Sequence, residues 1–167
     1  FPDLIDRFKY ICNNYDFDCF GGTHLGYFID TKPKWLNAEF GTMKNPLHQI
    51  GKLTKPHLTG GLFAIKKSVL FNVGMFNINF GMKGHKIGYA EEDEIQNRLL
   101  ESGYKLGFDP EFKIYHPVLQ HKLELIWHLK SAYAHGRDGE KSRNEFDIAT
   151  TIYLLSRSSA ALFYKFP

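Results

Sequence analysis

Residues Gly88–Gly103 read GYAEEDEIQNRLLESG, and this stretch organises the rest of the chain. Four consecutive acidic residues, Glu91 to Glu94, stand where a helix begins, and carboxylates are favourable near the positive end of a helix dipole. Glu94 precedes Arg98 by one turn and can pair with it, and Gly103 is a typical helix stop. The pattern predicts a helix that begins with a carboxylate cluster, which is either an ordinary surface feature or part of a site.

The composition indicates one soluble globular domain. The chain has 167 residues, of which 43% are hydrophobic and 23% charged, and its net charge is +3. This charge is small and its lysines and arginines are scattered, which argues against nucleic-acid binding. The two cysteines, Cys12 and Cys19, lack metal-ligand spacing and favour a reducing compartment. No run of about 18 apolar residues predicts a membrane-spanning helix.

Helical and strand patterns follow one another along the chain, which predicts an α/β fold with a mixed sheet covered by helices. The patterns predict helices at 1–15, 66–74 and 119–134, strands at 16–22, 104–108 and 112–115, and a turn into a strand at 59–65.

The breakers predict where these elements are interrupted. Residues 23–56 contain three prolines and predict a long loop with short elements. Asp109-Pro110 predicts a turn between two strands, and the glycines and charges of 136–143 predict another loop. The apolar spacing in 146–167 predicts an amphipathic C-terminal helix, which either docks on the core or lies on a membrane surface.

The order of several short motifs resembles a known family. Gly60-Gly61 is followed by a strand and the pair Lys66-Lys67, and the acidic cluster begins seven residues before Arg98. The other matching motifs are Phe63-Ala64-Ile65, Gly74, Phe76-Asn77, Phe80-Gly81, Gly103-Tyr104, Pro110 and His116-Pro117. This order is similar to the acceptor-side half of inverting glycosyltransferases with the GT-A fold, of the large family-2 type that builds bacterial surface polysaccharides. The resemblance covers about 16–137.

The resemblance implies an architecture and a missing part. Residues 1–145 are expected to form the acceptor-side half of a GT-A-like domain, and residues 146–167 a helical C-terminus. In the family the nucleotide-binding half comes first and ends in Asp-x-Asp, whereas Asp16-Phe17-Asp18 comes too late in this chain. The chain also begins without methionine. We therefore expect a fragment that lacks most of the nucleotide-binding half, is inactive alone and leaves a sheet edge open.

The resemblance further implies transfer of a sugar, with inversion, from a nucleotide-diphosphate sugar to a glycan or lipid-linked acceptor. A UDP-sugar is the expected donor. The acceptor hydroxyl needs a carboxylate to take its proton. Counted back from Arg98, Glu92 occupies the base position of the family, and Asp93 is the alternative. Glu91 is expected to orient the acceptor or to bond to backbone, and Ala90 replaces the usual glycine before the acidic pair.

Substrate and metal contacts are implied in the same way. His116 is expected to ligate a Mn²⁺ or Mg²⁺ ion bound to the diphosphate, or else to be a structural histidine. Gly60 and Gly61 are expected to let backbone approach a sugar closely, or to form a plain turn. Arg137 is expected in a mobile segment over the diphosphate, or else in a solvated loop. Trp35 is expected to stack on an acceptor sugar unless it anchors the loop.

A second hypothesis keeps the fold without the chemistry. The chain is then a non-catalytic glycan-binding or scaffold module derived from that fold, and the absence of an upstream Asp-x-Asp would distinguish it.

Use of cytosolic nucleotide sugars in the family implies a cytoplasmic location, with peripheral contact at the inner face of the membrane. No nucleic-acid partner is expected.

Overall fold

The computed structural model describes residues 3–142, without the side chains of 140–142. Its centre is a four-stranded sheet of order β2-β4-β1-β3. The strands are β1 (Cys19–Phe28), β2 (Gly51–Leu53), β3 (Phe63–Ile65) and β4 (Leu106–Val118). β1 and β4 pair in parallel, whereas β2 and β3 are antiparallel edge strands. The predicted α/β class with a mixed, open sheet is confirmed.

Helices cover both faces of this sheet. They are α1 (Leu4–Asn14), α2 (Lys67–Asn72), α3 (Glu91–Glu101) and α4 (Leu125–Ser142), with a 3₁₀ helix at Gln120–Leu123. Successive residues of β1 point to opposite faces. Cys19 accordingly packs with Ile95 and Leu99 of α3, whereas Phe20 packs with Ile11 of α1. The acidic helix therefore docks on one face of the sheet and α1 on the other.

The central strand pair contains a bulge that sets the alignment of its second half. Gly22 pairs with Asp109, but the next residue, Thr23, pairs with Lys113. A Cβ atom on Gly22 would lie 1.6 Å from the carbonyl oxygen of Phe112, so no larger residue fits there without moving backbone. Bulges of this kind re-aim the side chains that follow them.

The structure corrects two loop predictions around this strand pair. The predicted loop after Gly22 begins as strand, because β1 continues beside β4 as far as Phe28. The predicted turn at Asp109-Pro110 lies inside β4, and its proline occupies the bulge, where no ladder hydrogen bond is lost. The carboxylate of Asp109 is buried and accepts hydrogen bonds from Arg7 Nε and Nη2, at 2.5 and 3.0 Å, which tie α1 to β4.

The prediction of a loop at 136–143 was also wrong, because α4 continues to Ser142. Gly136 and Gly139 lower the local helix propensity, but tertiary contacts of Arg137 and Asp138 hold this part of the helix against residues 87–89. Tertiary context overrides a weak local preference here.

The acidic helix itself agrees with its prediction. Arg98 Nη2 lies 2.7 Å from Glu94 Oε2, and Gly103 has the left-handed conformation of a helix stop, with φ of +79°. The predicted C-terminal helix at 146–167 and the domain boundary before it lie outside the described residues. Within 3–142, no helix is long and apolar enough to cross a membrane.

Candidate functional site

A cavity of about 800 Å³ brings most of the predicted site residues together. It lies between the first turn of α3, the turn at 58–61, the loop at 81–90 and the C-terminal end of β4. The predicted residues that line it are Gly60, Gly61, Glu91, Glu92, Asp93 and His116. Other lining residues were not assigned to the site by the sequence, among them His24, Phe40, Lys122 and Trp127.

One side of the cavity is an acidic wall, formed by Glu91, Glu92 and Asp93 at the start of α3. The backbone N–H of Gly60 donates a hydrogen bond to Glu92 Oε1 at 2.9 Å. A Cβ atom on Gly60 would lie 2.2 Å from the same oxygen. A larger residue at position 60 would therefore displace the Glu92 carboxylate, whose Oε1 atom is held at the cavity by the Gly60 N–H.

Gln96 holds the turn at 58–61 against the acidic wall. Its side chain is buried, and Oε1 accepts from the N–H groups of His57 and Leu58 at 2.9 and 2.8 Å. Nε2 donates to the carbonyl oxygens of Leu58 and Glu92, both at 2.8 Å. All of the amide's contacts are with backbone, so Gln96 fixes the distance between the turn and the helix. The sequence alone shows only a polar residue within a helix.

Glu91 has one buried carboxylate oxygen. Its Oε2 atom is buried and has no hydrogen-bond partner. Burial raises the pKa of Glu91, and the negative charges of Glu92 and Asp138 raise it further. Gly81 has φ of +79°, and a Cβ atom there would lie 2.9 Å from the Glu91 carboxyl carbon, so this carboxyl is closely enclosed.

Asp93 lies at the mouth of the cavity and keeps access to solvent. Removal from water on the cavity side raises the pKa of Asp93, and the negative charge of Glu92 adds to this. The positive charges of His135 and His57 act in the opposite direction. The pKa of Asp93 is thus higher than that of an isolated surface aspartate.

The acidic wall follows a strained residue. Ala90, directly before α3, has φ of +75° and ψ of 0°, which is the left-handed region. A residue with a Cβ atom in this region costs on the order of 1 kcal/mol or more. Ala90 therefore needs support from its surroundings.

Another part of the cavity lining is an imidazole wall, formed by His24 of β1 and His116 of β4. Gly26 pairs with His116, so His24 and His116 are diagonal neighbours on one face of the sheet, with ring centroids 5.4 Å apart. Burial lowers the pKa of both histidines, and the charge of Lys122 lowers them further. Both rings are therefore mainly neutral at pH 7.

His24 escaped the sequence analysis because residues after Gly22 were predicted to be loop. Its Nδ1 atom lies 3.0 Å from Thr59 Oγ1, so the ring also contacts the turn that carries Gly60. A Cβ atom on Gly61 would lie 3.3 Å from the same nitrogen, which explains a small residue at that position. The only local signal for His24 was its place directly after the Gly-Gly strand.

The donor chemistry of this wall suits a divalent metal only in part. A neutral imidazole is the metal-binding form of histidine, so His116 fits as one ligand. Among residues 3–142, no group of three or more His, Cys, Asp or Glu side chains is arranged to hold a metal ion.

Two predicted substrate contacts lie outside the cavity. Trp35 is half exposed and packs edge-to-face on His128, with centroids 5.2 Å apart. Arg137 belongs to α4 rather than to a mobile loop, and its Nη2 atom donates to the carbonyl oxygen of Ile87 at 2.8 Å. The aromatic side chains that do line the cavity are Tyr89, Phe40 and Trp127, and the rings of Phe40 and Trp127 meet edge-to-face at 6.3 Å.

Comparison of the chain with models of protein families, with curated proteins and with solved structures gives no match. The functional argument therefore rests on the two walls of the cavity and on the chemistry of their residues.

Proposed function

We propose that this chain is the acceptor-side part of an inverting glycosyltransferase of the GT-A type. It moves a sugar from a nucleotide-diphosphate sugar, with UDP-sugar as the first choice, to a glycan or lipid-linked acceptor. The observation that carries the proposal is the Glu92 carboxylate, which the Gly60 N–H holds at a cavity shared with two neutral imidazoles. Sugar transfer requires a positioned carboxylate in the same cavity as groups that can stabilise the charge of the leaving diphosphate.

Glu92 is the general base in this proposal. Its Oε1 atom is occupied by the Gly60 N–H, and its other oxygen is left to accept the proton of an acceptor hydroxyl as that hydroxyl attacks the anomeric carbon. The bond from that carbon to the diphosphate breaks on the opposite side. Asp93 is the alternative base, because it lies at the mouth of the same cavity. Glu91 is enclosed, and in this proposal it helps to hold Glu92 and Asp93 in position.

The imidazole wall faces the leaving diphosphate. His24 and His116 can donate hydrogen bonds to phosphate oxygens as neutral rings, and Lys122 adds a positive charge beside them. A Mn²⁺ or Mg²⁺ ion, with His116 as one ligand, would neutralise negative charge on the diphosphate when bound. The acceptor sugar would lie against Phe40 and Trp127, which give the cavity an apolar surface.

Hydrolysis of nucleotide sugars tests the proposal. We would compare this chain with a longer chain that carries about 100 further residues upstream, the size of a small domain. The longer chain is expected to hydrolyse one UDP-sugar in the presence of Mn²⁺ and to lose activity with EDTA. Glu92→Gln is expected to lower kcat by about 100-fold or more, as for loss of a general base. Asp93→Asn is expected to have a smaller effect.

Glu101→Gln is the matched control, because it removes an exposed carboxylate at the other end of the same helix. The reverse ranking of Glu92→Gln and Asp93→Asn would make Asp93 the base. A folded longer chain that neither hydrolyses nor binds any nucleotide sugar would refute the enzyme.

A glycan-binding module is the second candidate. It is favoured by the aromatic pair Phe40 and Trp127, because aromatic surface can hold a sugar ring without any catalytic group. Binding of glycans that survives Glu92→Gln, in a protein without donor hydrolysis, would support this candidate.

The proposed enzyme works with donors from the cytoplasm and meets lipid-linked acceptors at the inner face of the membrane.

A further inference from the structure

Tyr89, two residues before the acidic wall, is held by α4 through three separate contacts. Its backbone N–H donates to Asp138 Oδ2 at 2.9 Å. Its hydroxyl lies 2.8 Å from Ser131 Oγ. Its ring stacks on His135, with centroids 3.5 Å apart and planes inclined by 11°. Three contacts on one residue fix both the backbone and the side chain of the segment that enters α3.

Asp138 is itself held in place. It is buried, with 4% of its surface exposed, and Arg137 Nε and Nη2 donate to its two carboxylate oxygens, both at 2.6 Å. Arg137 also donates to the carbonyl oxygen of Ile87. The Arg137–Asp138 pair therefore bonds to backbone on both sides of Gly88, and an ion pair whose carboxylate is buried and hydrogen-bonded resists displacement.

The held segment leads directly into the strained residue. Ala90 adopts φ of +75° although it has a Cβ atom, and it accepts the first hydrogen bond of α3, from the Glu94 N–H at 2.9 Å. Strained backbone of this kind persists only where the surroundings over-determine it. The contacts to Tyr89 come one residue earlier in the chain, where they can supply this constraint.

We infer that Tyr89, Ser131 and Asp138 form a latch by which α4 positions the acidic wall. The latch keeps Ala90 in its left-handed conformation, and this sets the direction in which Glu91, Glu92 and Asp93 leave the helix start. Ser131 and Asp138 are positioning residues that act through Tyr89 and Ala90. The inference rests on the proposed function for what the acidic wall does, but the latch itself is a property of the fold.

Amide hydrogen exchange of the 167-residue chain, followed by NMR, tests the latch without any substrate. Asp138→Ala is expected to speed exchange of the Tyr89 and Glu94 amides by about tenfold to a hundredfold, as for loss of a hydrogen bond to a charged group. The amides of Leu99 and Tyr104, at the other end of α3, are expected to stay within about twofold. Asp138→Asn keeps an acceptor for Tyr89 and is expected to show a smaller change.

Ala90→Gly supplies a rescue that a merely structural role does not predict. Glycine adopts the left-handed conformation without strain, so the latch has less to hold. In the Ala90→Gly background, Asp138→Ala is expected to change Glu94 exchange by less than about threefold. In the longer chain, Asp138→Ala is expected to lower kcat for donor hydrolysis about tenfold with KM nearly unchanged, and Ala90→Gly to recover most of the loss.

Two results would overturn the latch. One is unchanged exchange of the Tyr89 and Glu94 amides in Asp138→Ala. The other is equal acceleration along all of α3, which would mean that Asp138 supports only global stability. If the unsubstituted longer chain hydrolyses no donor, the proposed function fails, while amide exchange still decides whether α4 holds the helix start.

Discussion

The acidic wall and the imidazole wall both contain side chains whose charged form is disfavoured by burial, but the charges have opposite signs. Burial raises the pKa of Glu91 and Asp93 and lowers that of His24 and His116, so each side is moved toward its neutral form. The acidic wall consists of consecutive residues at a helix start. The imidazole wall consists of residues on two strands, aligned by a bulge. The comparison teaches that the first wall follows from local sequence, whereas the second depends on strand register.

The two walls also respond to pH with opposite signs. A folded-state pKa of Glu91 above 4.5 means that the folded protein holds its proton longer, so stability falls as pH rises from 4.5 through the raised value. A folded-state pKa of His24 below 6.5 means that stability is lost as pH falls from 6.5 through the lowered value.

Gly22→Ala should break the imidazole wall with the largest effect. The new Cβ atom would overlap the Phe112 carbonyl, so β1 and β4 must separate or change register. We expect a loss of about 3 kcal/mol or more in the free energy of unfolding, measured with urea. The loss is large because the added atom overlaps backbone, which cannot move aside as a side chain can. Gly136→Ala is the control, because an added Cβ atom meets no atom within 4 Å and favours the helix. Equal stability of the two variants would contradict the register argument.

Gln96→Ala should loosen the acidic wall with the next largest effect. It leaves the N–H groups of His57 and Leu58 without their acceptor, in a buried site. We expect a loss of about 2 kcal/mol in the free energy of unfolding, typical of unsatisfied buried groups. The Gly60 amide should also exchange faster, because the turn is released from α3. A stability loss with Gly60 exchange unchanged would show that the amide does not fix the turn.

Glu91→Gln should have a smaller effect on stability, and it tests the electrostatic part of the comparison between the two walls. It removes a buried charge at neutral pH while keeping the shape of the side chain. We expect higher stability at pH 7 and a flatter dependence of stability on pH above 4.5, from urea unfolding at several pH values. Glu101→Gln, at an exposed position, should leave the pH profile unchanged. Lower stability of Glu91→Gln at pH 7 would contradict the direction of the pKa shift.

Substitution of either tryptophan should have the smallest effect, and only on ligand binding. Trp35 and Trp127 both pack edge-to-face on His128, at 5.2 and 5.1 Å, but only Trp127 lines the cavity. We expect a panel of methyl glycosides to change the intrinsic fluorescence of the chain. Trp127→Phe should abolish this change, whereas Trp35→Phe should keep it. The opposite outcome would return Trp35 to the role predicted from the sequence.

Local patterns carried much of the fold prediction. α1, α2 and α3 agree with their predicted positions because apolar spacing, first-turn acids and terminal glycines act within one or two turns of a helix. The errors fall where distant segments meet. Phe28 is strand because β4 pairs with it, and Gly139 is helical although glycine disfavours helix. The Asp109-Pro110 pair is a turn signal that the partner strand converts into a bulge.

The sequence by itself determined the acidic helix start, its stop at Gly103, the close glycine turn at Gly60 and the α/β class, since these depend on neighbouring residues. Only the tertiary structure decided that Glu92 meets Gly60, that His24 joins His116, and that Trp127 rather than Trp35 lines the cavity. The physical reason is the distance along the chain over which each interaction acts. Helix propensity and turn conformation act over a few residues, whereas strand register and burial depend on partners that are distant in the chain and adjacent only after folding.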